Sequence, residues 1–161
     1  MIFLMRMTNN ILLIMEKILS KAITLALKAH EGQVDKSGMP YAGHIMRVMA
    51  AGRTIDEKIV GVLHDVVEDT ELTLDDLRRE FPEEVVEVVA LLTHEKCAEY
   101  NNTDYFDYIR KIKMHPIAKK VKLADIAHNS DQTRCTGVGL PEEKLLFWQQ
   151  KYQKALAILM K

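Results

Sequence analysis

The sequence predicts an all-α protein. Three observations carry that expectation: apolar residues recur at the 3.6-residue helical period nearly throughout, segment after segment opens with helix N-terminal chemistry, and a polar loop marked by Gly and Pro separates the first two periodic stretches. From Ile18 onward, Leu19, Ala22, Ile23, Leu25, Ala26 and Ala29 keep the helical period, and Gly32 stops it. Residues 33–40 read as a polar loop with Gly38 and Pro40 as breakers. A second helix is expected over 41–51 and a third from Ile55 to Glu68. Thr73 with Asp76 three residues on is an N-cap signature, and it opens a short helix ending near Phe81. Pro82-Glu83-Glu84 makes a favourable first turn, since Pro has no amide to leave unpaired there and the acids face the positive helix end. The following stretch to Leu92 is rich in β-branched valines and compatible with a strand by composition, but the capping before it favours helix. His94 to Asn102 is a polar connection, and Thr103-Asp104 caps a helix through Ile112. Pro116 opens the next helix, which carries Val121 and Ile126. Pro141-Glu142-Glu143 starts the last, which runs toward Met160, with Leu145 and Trp148 expected to close the core.

The bulk properties bound the function. A chain of 161 residues suits one domain, and 48% hydrophobic content is enough for a real core and too high for disorder. A net charge of −1 and a pI near 6.6 give no broad surface for nucleic acid or membrane, so an anionic ligand must be held by local positive groups. Cys97 and Cys135 stand in no CxxC or zinc-finger spacing. They read as ordinary thiols of a reducing compartment, which implies a cytoplasmic setting and no disulfide framework. Met1 to Met7 superficially resembles a targeting segment, but its charge follows the apolar run and no small-residue cleavage site appears. No apolar run is long enough to span a bilayer. Residues 1–14 read as an N-terminal extension and residues 15–161 as the domain, because Met15-Glu16-Lys17 begins a domain well.

His64-Asp65 is the most informative pair. It sits in the apolar run from Ile59 to Val67, where an Asp is rarely found unless its charge is compensated. A metal ion is the simplest compensation, with the neighbouring His as a second ligand. On a continuous helix Glu68 lies one turn above His64, and Asp69 one turn above Asp65, so three carboxylates and an imidazole converge. His44 and Asp125 are further candidates. Alone, His44 would be a surface residue of a first helical turn, and Asp125 a core acid paired with Lys122 or Arg134. Together His44, His64, Asp65 and Asp125 make a mixed nitrogen and oxygen set suited to Mn²⁺, Fe²⁺, Co²⁺ or Zn²⁺ rather than Ca²⁺. Such an ion lowers the pKa of a coordinated water into the neutral range.

Three ordered motifs give this chain a specific resemblance. Ala29-His30-Glu31-Gly32-Gln33 with Lys36-Ser37-Gly38-Met39-Pro40-Tyr41 and His44, then Leu63-His64-Asp65-Val66-Val67-Glu68-Asp69-Thr70, then Lys122-Leu123-Ala124-Asp125 with His128-Asn129, resemble the HD-domain hydrolases of the stringent response over residues 18 to 135. The resemblance implies an all-α HD-domain helical bundle with a metal site between helices. It implies a divalent metal, usually Mn²⁺, bound by His44, His64, Asp65 and Asp125. It implies hydrolysis of the 3′-pyrophosphate of guanosine tetra- or pentaphosphate, with Glu68 and Asp69 positioning and deprotonating the attacking water. Lys36, with Ser37 beside it, would meet substrate phosphate oxygens, and Asn129 would hold the sugar or a metal-bound phosphate. A chain this short is expected to lack the synthetase domain of the bifunctional members.

Two positions depart from that family. Asp35 stands where an Arg commonly precedes the loop lysine and lies against the base, and Ser130-Asp131-Gln132 replaces a stretch with a basic residue and a Thr. An acid can neither stack as a cation nor pair with phosphate. A second reading therefore keeps the enzyme and changes the substrate to another phosphorylated nucleotide, such as a dinucleotide cofactor or a nucleoside phosphate. A third is a nucleotide-binding helical module without turnover, against which the Glu68-Asp69 pair argues. The remaining residues take structural readings: His30 and His128 as hydrogen-bonded groups supporting the fold, His94 and His115 as exposed residues at element ends, Lys111, Lys113, Lys119 and Lys120 as a solvated face, and Tyr41, Tyr105 and Tyr108 as packing residues.

Overall fold

Helix α3, Ile55–Leu63, is the buried axis of the molecule, and its start is fixed by a capping box. The Thr54 side chain accepts from the Glu57 amide while the Glu57 carboxylate accepts from the Thr54 amide. Glu57 is only 3% exposed, and its other oxygen takes the Lys120 ammonium. A computed structural model of the chain describes residues 2–94, 102–135 and 139–161, with the side chains of 10–94, 104–135 and 139–161.

Around α3 pack α1 (Ile2–Ala29), α2 (Ala42–Ala51), α6 (Glu83–Leu92) and α8 (Pro116–Asn129). The short α4 (Val66–Asp69) and α5 (Leu74–Arg78) join α3 to α6, while α7 (Asn102–Lys113) and α9 (Glu142–Met160) pack on each other and on α8. The fold is helical as expected, and among the described residues the only β feature is an isolated bridge between Val34 and Pro40. That bridge pinches the loop after α1, where Gly32 and Gly38 take φ of 78° and 76°, values only glycine adopts without strain. The core runs through Ile45, Ile59, Leu63, Leu77, Leu92, Ile109, Ile112, Ile126 and Leu159, all fully buried. No helix of the described residues is long and apolar enough to cross a membrane.

Local capping was readable at most joints. Thr73 and Asp76 form a reciprocal capping box, Pro82 and Pro141 are the N-caps of α6 and α9, and Pro116 is the first residue of α8. The valine-rich segment is helix α6, because its alternate faces meet α3, α5 and α8 rather than a sheet. Three expectations need correction. The helix expected from Ile55 to Glu68 breaks at His64-Asp65: the His64 ring takes the Gly61 carbonyl at 2.8 Å, the group that Asp65 N–H would otherwise use, and Asp65 falls to φ −105°, ψ −2°. Asn102 already lies within α7, so Thr103-Asp104 does not precede it. Leu145 is only half-buried, and α9 closes the core through Tyr152, Ala155 and Leu159, with Trp148 packed partly against it. The polar connection expected from His94 to Asn102, Cys97 included, falls mostly outside the described residues, while Cys135 is a free, half-buried thiol. In α1 the helix is continuous across residues 14 and 15. Ile11 to Ile14 are exposed, and described contacts with the core begin at Met15.

The backbone of α2 lies close against α3 at Gly61, where an added Cβ would stand 3.2 Å from Met49 Cα and 3.3 Å from the Val48 carbonyl oxygen. Gly43, exposed on α2, has nothing within 4 Å of its Cβ position. In urea denaturation, Gly61→Ala should destabilise the protein by about 1–3 kcal/mol through overpacking against backbone. Gly43→Ala should stabilise it by roughly 0.5–1 kcal/mol through helix propensity alone.

Candidate metal centre and substrate cavity

His44 stands in the first turn of α2, His64 and Asp65 occupy the break between α3 and α4, and Asp125 projects from α8. The folding of these elements brings all four together. His44 Nε2 lies 3.3 Å from His64 Nε2 and 3.4 Å from both Asp65 Oδ2 and Asp125 Oδ1. His64 Nε2 lies 2.9 Å from Asp65 Oδ2 and 3.9 Å from Asp125 Oδ1. Donors each ~2.1 Å from one ion stand at most about 4.2 Å apart, so these separations suit a shared cation. His44, His64 and Asp125 offer ligand atoms that all lie within 4.8 Å of one another, and Asp65 joins them through its contacts with both rings. Because the His64 Nδ1–H donates to the Gly61 carbonyl, its Nε2 lone pair faces the cluster. All four residues are buried, with exposures from 1% for His64 to 8% for Asp65.

The electrostatics point the same way. Burial works to lower the His44 pKa, yet hydrogen bonds and charge from Asp125 and Asp65 outweigh it and push the ring up to about 9. His64 is also raised, its burial overcome by the Asp65 charge. Burial works to raise both acids, but Asp65 is held well below the usual carboxylate range by His64 and His44, and Asp125 by Lys122 and His44. Every member of the cluster thus favours added positive charge at its centre. Lys122 supplies some of it, with Nζ 2.8 Å from Asp125 Oδ2. The other Asp125 oxygen faces the cluster and accepts from Asn129 Nδ2.

A cavity of about 460 Å³ opens over the acidic side of this cluster. Its lining includes Asp65, Asp125, Glu68 and Asp69, while His44 and His64 are absent from it and lie behind the acids. Glu68 Oε2 accepts the His94 amide at 3.1 Å, and burial holds the Glu68 carboxyl above its ordinary value despite the Lys122 charge. Glu68 therefore turns toward His94, while Asp69 stays beside Asp65 through Tyr41, whose hydroxyl donates at 2.5 Å to Asp65 Oδ2 and lies 3.2 Å from Asp69 Oδ2. Helix α9 contributes Trp148, Lys151 and Tyr152. Lys36 is exposed as a residue, but its ammonium donates to the Tyr152 hydroxyl and sits 4.9 Å from the Trp148 and Tyr152 ring centres. Burial of that ammonium end pushes its pKa down to about 8, and burial does the same to Lys151.

Lys36 and Asn129 line the cavity, as the sequence led us to expect of substrate contacts. Ser37 does not: it is 8% exposed, and its hydroxyl donates to Asp35 Oδ1 at 2.6 Å. Asp35 braces the loop. Its Oδ1 also accepts the Ser37 and Met39 amides at 2.8 and 3.2 Å, and its Oδ2 pairs with the Arg134 guanidinium. Asp125 pairs with Lys122 and not with Arg134. His94 is half-buried in the cavity wall with its ring 4.8 Å from Tyr108, where exposure was expected, and His115 caps α8 by accepting the Ala118 amide at 3.3 Å. His30 is a structural group as expected, bonded to Gln33 and stacked on Tyr41. Tyr41, Lys151 and Tyr152 were missed as site residues. The aromatic pair at 148 and 152, one helical turn apart, was the only sequence signal from α9.

A family model described as HD domain matches residues 22–114. The guanosine-3′,5′-bis(diphosphate) 3′-pyrophosphohydrolase MESH1 of Homo sapiens is 32% identical over 136 residues, which cover 79% of this chain and 76% of that protein. A GTP pyrophosphokinase of Streptomyces coelicolor is 34% identical over 119 residues, or 69% of this chain, and the chain spans only 14% of that relative's length. A solved structure of a metazoan orthologue of SpoT, described as hydrolysing ppGpp, superposes with a TM-score of 0.76 at 24% identity over 88% of this chain and 85% of that one. At that identity the likeness is one of fold.

The cluster's protonation sets a pH dependence for metal binding. His44, raised to about 9 without metal, holds a proton below that value which an incoming ion must displace. Apparent Mn²⁺ affinity should therefore climb about tenfold per pH unit for each proton displaced as pH rises from neutrality, and level off above about 9. Calorimetric titrations giving a flat affinity across that window would contradict this reading of His44.

Proposed function

The chain belongs to the HD-domain family, and on that premise we propose that its cavity hydrolyses the 3′-pyrophosphate of guanosine tetra- or pentaphosphate, converting ppGpp to GDP and pyrophosphate with Mn²⁺ as the divalent metal. The observation that carries this reading is the meeting, at one cavity, of the acidic side of a cation-fitting His and Asp cluster, a half-buried Glu68 with a raised pKa, and ammonium groups on the facing wall. An ion held by His44, His64, Asp65 and Asp125 would polarise the phosphoryl group and activate water for in-line attack.

The chain's own residues divide the remaining work. Glu68 takes the proton from the attacking water. Its raised pKa makes it a stronger base than an ordinary carboxylate, and the His94 amide fixes its orientation. Asp69 orients that water and is itself held beside Asp65 by the Tyr41 hydroxyl. Lys36, still mostly charged at neutral pH, and Lys151 meet phosphate oxygens, and Asn129 holds the sugar or a phosphate next to Asp125. Trp148, half-buried on the cavity wall, offers an aromatic surface to a nucleobase. In this reading residues 1–14 are an extension ahead of the domain, supported by the core contacts of the described side chains, which begin at Met15, and the enzyme works in the cytoplasm.

Metal-stripped protein should release GDP and pyrophosphate from ppGpp only when Mn²⁺ is restored, as resolved by ion-exchange chromatography. Glu68→Gln should keep its metal and lose about 10²–10⁴-fold in turnover, whereas Asp125→Ala should lose metal and activity together. Full activity in Glu68→Gln would remove it as the base. Metal binding with turnover of another phosphorylated nucleotide and none of ppGpp would move the substrate assignment. Asp35→Arg should lower the thermal midpoint and bring no gain in ppGpp turnover, because it sets a like charge beside Arg134 and strips the loop of its brace.

A further inference from the structure

We propose that His128 and Arg134 form a positioning relay that fixes the His44 ring with its Nε2 lone pair toward the metal, and that the same guanidinium ties this ligand to the loop carrying Lys36. The inference rests on the metal-binding part of the function proposed above and is independent of which nucleotide is cleaved.

The argument follows from what each group can donate. A guanidinium has five N–H donors and no acceptor. Arg134 Nη1 lies 3.1 Å from His128 Nδ1 and 2.9 Å from the His128 carbonyl oxygen, so His128 Nδ1 is an acceptor and carries no hydrogen. The same His128 Nδ1 lies 2.7 Å from His44 Nδ1. Two lone pairs at that distance would repel, so His44 Nδ1 holds the hydrogen and donates it. The neutral His44 ring then has its lone pair on Nε2, the atom 3.4 Å from both Asp65 and Asp125. His64 reaches the same state through the Gly61 carbonyl, a backbone group that cannot be substituted. His44 relies on side chains. Arg134 belongs to a short 3-10 turn, Gln132–Cys135, after α8, and its Nη2 reaches Asp35 and, at 3.3 Å, the Ser37 hydroxyl. One side chain therefore grips the ring that orients a ligand and the loop that presents Lys36. Neither His128 nor Arg134 lines the cavity or sits among the candidate ligands, so each acts through His44.

Mn²⁺ titration of the full chain, followed by electron paramagnetic resonance of the free ion, tests the relay. Arg134→Met and His128→Leu should each weaken Mn²⁺ binding by about 10–100-fold, the usual cost of removing a group that orients a metal-bound His. His128→Gln, which keeps an acceptor, should recover much of the loss. In zinc-loaded wild-type protein, long-range ¹H–¹⁵N spectra should place the His44 proton on Nδ1, and a ¹⁵N–¹⁵N coupling through the hydrogen bond should join that nitrogen to His128 Nδ1, a result that zinc coordination by His44 alone would not produce. Wild-type Mn²⁺ affinity in both Arg134→Met and His128→Leu, a His44 proton on Nε2, or no coupling between His44 Nδ1 and His128 Nδ1, would overturn the proposal. If a variant fails to fold, the wild-type spectra decide alone. A wild-type chain that binds neither ion would overturn the metal reading and this inference together, whereas one that binds metal without cleaving ppGpp leaves the relay to be judged on the affinities.

Discussion

Two imidazole nitrogens and two carboxylates turn toward one point in the interior, at separations where their lone pairs repel unless positive charge stands between them. Burying acids this deeply is costly without compensation, and the cost is greater when the neighbours are also acceptors. Much of the architecture answers that constraint. The bare backbone of Gly61 lets α2 come close enough to α3 for His44 to reach the cluster. Lys122 is drawn into the interior against Asp125, and Tyr41 and Asn129 spend their hydrogens on the acids. These donors soften the repulsion from outside the cluster and leave its centre for a cation.

The cavity above is divided in charge. Asp65, Glu68, Asp69 and Asp125 gather at one side, while Lys36 and Lys151 stand among aromatic rings with their pKa values lowered by burial. A polyanion would be repelled by the acidic side alone and held without consequence by the basic side alone. With a cation in the cluster the acidic side would become attractive to a phosphoryl group, and Glu68, the proposed base, lines the same cavity. The two walls therefore describe one extended phosphorylated ligand better than a single inorganic ion.

What the sequence made legible was what is decided locally. Helix starts marked by Thr73, Pro82, Pro116 and Pro141 depend on a few adjacent residues, and periodicity located the helices that follow them. His44, His64, Asp65 and Asp125 stood out because acids and imidazoles are conspicuous in apolar runs, and the structure does bring them together. Long-range pairings were not legible. Asp35 reads as a misplaced acid until Arg134, 99 residues away, is seen against it. His94 reads as a surface residue until the tyrosines of α7 close over it. The break at His64-Asp65 escaped because periodicity does not register a side chain competing for a backbone carbonyl.

That break also governs how the centre is assembled. On an unbroken helix, consecutive side chains point about 100° apart. The irregular backbone instead lets two adjacent residues approach the same point, which makes His64-Asp65 a chelating pair with almost no loop to close. The entropic cost of completing the centre then falls on His44 and Asp125, which arrive from separate helices at the ends of long stretches of chain. A bound ion would act as a cross-link, pinning α2 and α8 onto the end of α3, and, because its ligands meet only in the folded chain, would stabilise that chain by mass action. In this protein the catalytic ion would therefore double as a staple of the tertiary fold.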